Sequence, residues 1–294
     1  MVATRNKNID LLTIVGPTAS GKSALALKIA KDFNGEIITA DSRTVYKGMD
    51  IGTAKPTKVE QKLTPHWGLD LVEPGQNFSA AQFKEYADLK ITEIQNRGRL
   101  PIMVGGTGLY IDSVIFDFNF PEAGNDEQRQ ELEKKDIAEL QGVIRDKGYK
   151  MPENLRNRRH LIRTIERQGH TGMRVNSLPN SIVLIGLLPP DEKLKHNIDV
   201  RAENMFKRGI TTETENLLSK YGREALETTG GIIYKICLKL IDGKISEEQA
   251  KDLFKKSDWQ YARRQKTWFR RNKFIQWYAD PEGAFTSVYE LLHK

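Results

Sequence analysis

Cysteine is almost missing, with Cys237 the only one in 294 residues. A single thiol excludes an internal disulfide and a zinc site built from thiolates. It fits a reducing, cytoplasmic setting. Long apolar runs are missing too. No stretch approaches the roughly 18 apolar residues that span a bilayer, so no membrane partner is expected. The run 9–15 is short, carries Asp10 and leads straight into glycine, which is not a signal-peptide pattern. Internal repeats and low-complexity tracts are also absent, which argues against a solenoid or a linker-like chain. Hydrophobic residues make up 38% and charged residues 29%, which excludes a disordered chain and a collagen-like fibre. The length suits one large domain or two smaller ones. Lys and Arg outnumber Asp and Glu by 46 to 39, for a net charge of +7.

Residues 9–115 alternate between strand-like and helix-like patterns. Residues 9–15, 36–40 and 100–104 are short apolar runs stopped by glycine or a polar turn, which predicts buried strands. Residues 20–33 carry Leu25, Leu27, Ile29 and Ala30 at helical spacing, and 79–96 carry Phe83, Ala87, Ile91 and Ile94. Residues 107–114 also look helical. Such alternation implies a parallel sheet covered on both faces. Residues 117–155, near Pro121, are charged and poor in aromatics. They predict a small helical insertion over 126–147, with loose ends at Gly148 and Pro152. Residues 181–188 form another apolar strand, closed by Pro189-Pro190, and the rest is mostly helical. The expected organisation is a core begun by 1–116, interrupted by the insertion 117–155, and resumed over 156–294 with a basic helical C-terminal region.

The run Gly16-Pro-Thr18-Ala19-Ser20-Gly21-Lys22-Ser23 fits G-x-x-x-x-G-K-[ST] at every fixed position. An apolar strand precedes it and an amphipathic helix follows, so the expected fold is α/β: a P-loop NTPase-like parallel sheet flanked by helices. In this arrangement loop amides and the positive helix start surround phosphate oxygens. Lys22 supplies a point charge, and Ser23 can hold Mg²⁺. Such a loop binds a polyphosphate, ATP in many proteins, without saying what becomes of it. The carboxylate that ends a strand is Asp41, in Glu36-Ile-Ile-Thr-Ala-Asp41-Ser42. Asp41 is a magnesium ligand, a proton acceptor, or a turn residue closing the strand.

Two basic segments stand out. Within 156–174, Arg156, Arg158, Arg159, Arg163, Arg167 and Arg174 face one acid, Glu166. Residues 251–273 hold nine Lys and Arg against Asp252 and Asp258, which equals the net charge of the chain. On a helix, Arg263, Lys266, Arg270 and Lys273 would share one face, with Tyr261, Trp268 and Ile275 as an apolar stripe opposite. The basic residues predict a surface for nucleic-acid phosphates. The aromatics read as core.

With these residues in view, the sequence resembles the bacterial tRNA dimethylallyltransferase family, the tRNA isopentenyltransferases. The matching runs are GPTASGKS at 16–23, ADSRTVYKGMDIGTAKP at 40–56 and TPHWGLDLVEPGQNFSAAQF at 64–83. GGTGLYIDSV at 105–114, RRHLIRTIE at 158–166 and WQYARRQKTWFRR at 259–271 continue the series. The resemblance implies transfer of a dimethylallyl group from dimethylallyl diphosphate to N6 of adenosine 37 beside the tRNA anticodon. It implies Mg²⁺ and an insertion near the anticodon stem-loop, and a monomer is expected. Asp41 would act on the adenine amine, Thr107 would be a catalytic contact, and Arg201, in DVRAENM, would stabilise the diphosphate. Asp41, Ser42, Arg43, Thr44, Arg159 and Arg163 would meet tRNA, along with the basic residues Arg263, Lys266 and Arg270. Departures from the family pattern fall at Trp67, where a second histidine is usual, at Asn197, at Ile233 and at Asp258-Trp259. With a single cysteine, the zinc-finger tail of eukaryotic relatives is not expected. Two other readings compete: a P-loop kinase of a small metabolite, with Asp41 activating a hydroxyl, and an RNA-binding protein with a vestigial loop. The 40–56 run argues against the kinase, and intact Lys22, Ser23, Asp41, Thr107 and Arg201 argue against the vestigial loop.

Overall fold

The computed structural model describes residues 9–120, 126–170 and 175–293. It divides into two compact units, residues 1–115 with 177–294, and residues 116–176. The first unit opens with β1 (Leu11–Val15), α1 (Lys22–Asp32), β2 (Gly35–Ala40), α2 (Lys58–Leu63), β3 (His66–Trp67), α3 (Ala80–Asn96), β4 (Leu100–Gly105) and α4 (Gly108–Ile115). The second unit holds α5 (Asp126–Lys134), α6 (Ile137–Asp146) and α7 (Arg158–Glu166). The first unit then resumes with β5 (Ile182–Leu187), α8 (Asp191–Lys207), α9 (Ile210–Thr229), α10 (Gly231–Ile241), α11 (Glu247–Phe269), β6 (Gln276–Tyr278) and α12 (Pro281–His293). Among the described residues no helix is long and apolar enough to cross a membrane.

Among the described residues the sheet has six strands, all parallel, in the order β3-β2-β4-β1-β5-β6. Both faces of β1 are covered, which is why its five residues are all apolar or Thr and all buried. On one face Leu12, Ile14, Ile102, Val104, Ile185 and Leu187 meet Leu25 and Ile29 of α1 and Ala284, Val288 and Leu292 of α12. β2 is not next to β1, because β4 lies between them, so the strand ends that carry Asp41 and the phosphate loop are separated by the end of β4.

A second apolar core joins the 40–56 segment to the C-terminal helices through Val45, Met49, Leu217, Leu226, Tyr234 and Phe254. Two charges hold that segment in shape. The Glu213 carboxylate accepts from the N–H groups of Asp50 (3.1 Å), Ile51 (2.7 Å) and Gly52 (3.0 Å) and from the Tyr234 hydroxyl (2.7 Å). The buried Lys55 ammonium donates to Tyr46 O (2.6 Å), Asp50 (2.9 Å) and Asp70 (2.5 Å). Removing Glu213 strands three N–H groups and a hydroxyl at once. Glu213→Ala is expected to lower the unfolding free energy by about 2–4 kcal/mol, seen as a lower urea midpoint. An unchanged midpoint would show that other contacts hold the segment.

The second unit has its own apolar core of Leu132, Leu140, Ile144, Leu161, Ile162 and Ile165. The expected helical insertion over 126–147 consists of two helices, because Asp136 caps α6 in a box with Glu139. The boundary at 155 moves. The arginine-rich segment forms α7, whose Leu161, Ile162 and Ile165 pack into this unit, so 156–176 belong to the insertion and not to the resumed core. Glu166 is buried and pairs with Arg129 (3.1 Å) and Arg163 (3.2 Å). Pro121 and Arg174 lie outside the described residues.

Candidate active site

The carboxyl ends of β1, β2, β4 and β5 meet at one end of the sheet, where ligands sit in open α/β folds. Here the loop 16–21 turns sharply. A Cβ on Gly16 would lie 2.6 Å from the Leu187 carbonyl at the end of β5, so only glycine fits. Ala19 (φ 60°) and Gly21 (φ 92°) take left-handed conformations that curl the chain ahead of α1. Ser20 Oγ is buried with no partner among the described residues. Lys22 donates to Pro17 O at 3.0 Å. Burial pulls the Lys22 ammonium down to about 8, and the nearby Arg201 pushes the same way against Asp41 and Asp258.

Arg201 of α8 reaches the loop, where its guanidinium donates to Thr18 Oγ1 and pairs with Asp258 of α11 at 3.6 Å. Its Nε is buried with no partner among the described residues. Asn197, one turn earlier, donates to Ala19 O at 2.9 Å. Asp258 also accepts from Thr18 Oγ1 at 3.5 Å. Burial raises the Asp258 carboxyl above the usual range, against the pull of Arg201 and Lys22. Two departures from the family pattern, Asn197 and Asp258, therefore both touch the loop or its arginine. A third, Trp67, donates from Nε1 to Glu36 at 2.6 Å.

Asp41 follows β2. One carboxylate oxygen accepts from Arg43 N at 2.8 Å, and the Thr44 hydroxyl donates to Asp41 O at 3.2 Å. Asp41 is therefore a turn residue and a functional candidate at once, since the turn aims it into a cavity of about 720 Å³. The cavity is lined by the loop, Asp41, Ser42, Arg43, Arg201, Asp258 and Tyr261. Thr107 does not line it. Thr107 Oγ1 accepts from Ser42 N at 3.0 Å, and Thr107 N donates to Ala40 O at 3.3 Å, so it braces the Asp41 turn. Burial raises the Tyr261 phenol to about 12, with the charge of Asp41 adding to the effect.

The basic face expected on α11 is split. Arg263 and Arg270 are exposed, but Lys266 pairs with Asp191 of α8 and is largely covered. The helix ends at Phe269, so Lys273 and Ile275 fall beyond it and neither the basic face nor the aromatic stripe continues to them. Lys251 and Lys255 are spent on Glu203 of α8, at 3.2 Å and 2.8 Å. Trp268 is 37% exposed and packs over Gly108 rather than in the core. Thr44, expected to meet tRNA, is buried with its hydroxyl engaged. Arg43 is exposed and bonds Thr229 O at 2.7 Å. The sequence reading missed Gln265, buried on α11 at a position the apolar stripe would fill. Its signal is a polar residue in register with Phe254, Ala262 and Phe269.

A six-stranded parallel sheet flanked by helices, with a glycine loop after β1 and a carboxylate lining the same cavity, defines an α/β enzyme of P-loop NTPase-like fold. The chain belongs to a particular family of these: a family model described as IPP transferase matches residues 44–272. A tRNA dimethylallyltransferase of Pelotomaculum thermopropionicum is 36% identical over 290 residues, covering 94% of this chain and 92% of that one. One from a Thermoanaerobacter species is 40% identical over 296 residues, covering 92% and 91%. The crystal structure of a Bacillus halodurans tRNA isopentenylpyrophosphate transferase superposes with a TM-score of 0.71 at 34% identity, covering 95% and 94%.

Proposed function

We propose that this protein transfers a dimethylallyl group from dimethylallyl diphosphate to N6 of adenosine 37 in tRNA, releasing diphosphate. The observation that carries this reading is the cavity shared by Asp41, Lys22 and Arg201. The N6 amine is a weak nucleophile, because its lone pair is conjugated into the ring. As the N–C bond forms, the allylic C–O bond breaks and the Asp41 carboxylate takes the amine proton. Negative charge grows on the departing diphosphate, where Lys22, Arg201 and the loop amides meet it. The base must leave its stack to reach Asp41, at a cost of a few kcal/mol of unstacking. Mg²⁺ fits the donor set. It keeps most of its ligands as water and phosphate oxygen, and Ser23 and Asp41 line the same cavity. Among the described residues no three His, Cys, Asp or Glu side chains cluster as a dedicated metal cage. Ser23 would hold the ion, and the ion would supply further neutralisation of the diphosphate.

Incubation with unmodified tRNA, Mg²⁺ and dimethylallyl diphosphate labelled in the prenyl group tests the reading. Label is expected on adenosine 37, and none moves from labelled ATP to tRNA. Transfer from ATP, or no transfer from the prenyl donor, would overturn it.

The anticodon stem-loop is the expected docking partner of α7. Arg163 is held by Glu166, so the cleaner probe is Arg159, which is exposed. Arg159→Gln is expected to weaken tRNA binding and to flatten the log–log salt dependence by about 0.7–0.9 for each phosphate that the arginine neutralises. Equal slopes in variant and parent would remove Arg159 from the interface.

A further inference from the structure

Gln265 is not a ligand-binding candidate by type, yet it sits at the junction of the two loops that build the site. Its side chain is buried, on the same face of α11 as Phe254, Ala262 and Phe269. The Oε1 oxygen accepts from Thr18 N at 2.7 Å, and Nε2 donates to Gly106 O at 2.9 Å. One amide therefore bridges the phosphate loop after β1 and the turn after β4. These strands are direct neighbours, with Val15 opposite Gly105. Gly106 makes room for the bridge, since a Cβ there would lie 2.1 Å from Nε2.

The bridge has only one workable orientation. Flipping the amide would point NH₂ at the Thr18 N–H and a carbonyl at the Gly106 carbonyl, losing both bonds. Each tied residue leads on to the chemistry. Thr18 holds Arg201 through its hydroxyl. Thr107, next to Gly106, accepts from Ser42 N beside Asp41. The Thr18 N–H is also spent on Gln265, so the anion must be met by the later loop amides.

We infer that Gln265 is a positioning residue that fixes the diphosphate-binding loop relative to the turn bracing Asp41, and so sets the distance between donor and acceptor. This rests on the transfer reading given above. A misplacement of about 1 Å between reacting groups can cost 10²-fold in rate.

The test pairs two variants with one measurement on the parent. Gln265→Met keeps volume and removes both bonds. Gln265→Asn keeps the chemistry but is one methylene too short to span the two carbonyl-to-amide gaps. Single-turnover prenyl transfer at saturating tRNA and donor is expected to fall about 10–100-fold in both. The affinity for tRNA should stay within about twofold, because no tRNA-facing group changes. Loss of stability with an unchanged single-turnover rate would mean a merely structural role and would overturn the inference. So would full activity in Gln265→Asn. Should neither variant fold, amide hydrogen exchange in the parent decides: Thr18 N–H is expected to be strongly protected without ligand, and rapid exchange would overturn the bridge. This arm separates the two claims. A parent that transfers no prenyl label fails the functional reading, while protection at Thr18 still reports on the bridge.

Discussion

Asp41→Asn is expected to slow prenyl transfer by about 10²–10⁴-fold, the usual contribution of a positioned general base. The amide is nearly isosteric and can still accept from Arg43 N, so the turn after β2 survives. Only the proton acceptor is lost. The affinity for tRNA should therefore stay within about twofold, and the donor should bind as before. Asp41→Ala removes the turn bond at 2.8 Å as well. A larger effect of Ala than of Asn on tRNA binding would measure what the turn contributes to the 40–56 segment. Single-turnover rates at saturating tRNA, set beside equilibrium binding, separate the two. A near-parental rate in the asparagine variant would remove Asp41 from the chemistry.

Lys22→Met carries the second large effect. Loss of one preorganised donor to developing charge costs about 10²–10³-fold in rate, or about 2.7–4 kcal/mol. Both donor binding and kcat/KM should drop. The protein also gives a pH signature. In the empty site the Lys22 ammonium titrates near 8, because burial disfavours its charge. A bound diphosphate favours that charge, so binding takes up a proton above this pH. The affinity for inorganic diphosphate, taken relative to the Lys22→Met variant, should be level below about pH 8. Above it the affinity should fall, approaching tenfold per pH unit. The reference to the variant cancels the titration of the ligand itself. A ratio that stays flat from pH 7 to 10 would mean that Lys22 does not meet the anion.

Much of this site can be read from the chain alone, for specific reasons. The phosphate loop combines a fixed spacing with an apolar strand before it and a helical period after it. Asp41 stands out as the acid that ends an apolar run. Strand order is another matter. A hydrophobic run reports that a strand is buried but not which strand it pairs with, so the insertion of β4 between β1 and β2 is invisible in the pattern. The edge strands β3 and β6 are too short to show a period. Charge hides the boundary of the insertion, because the arginines of 156–174 obscure the apolar face of α7 at Leu161, Ile162 and Ile165. On α11 the difficulty is the reverse. Asp258 and Gln265 occupy positions of a core stripe, and a stripe reading passes over polar members whose partners come from distant elements: Thr18 and Arg201 for Asp258, Thr18 and Gly106 for Gln265. Lys266 has the spacing of a basic-face residue, but only the fold brings Asp191 to it.

The outermost strands of the sheet are two and three residues long, His66–Trp67 on one side and Gln276–Tyr278 on the other. A strand of that length leaves few main-chain donors and acceptors open along the border. Another chain approaching edge-on would find too short a template to extend, which is how native sheets resist ribbon-like polymerisation. The border is thus built to stop growth, so concentrated protein should resist joining one sheet to the next.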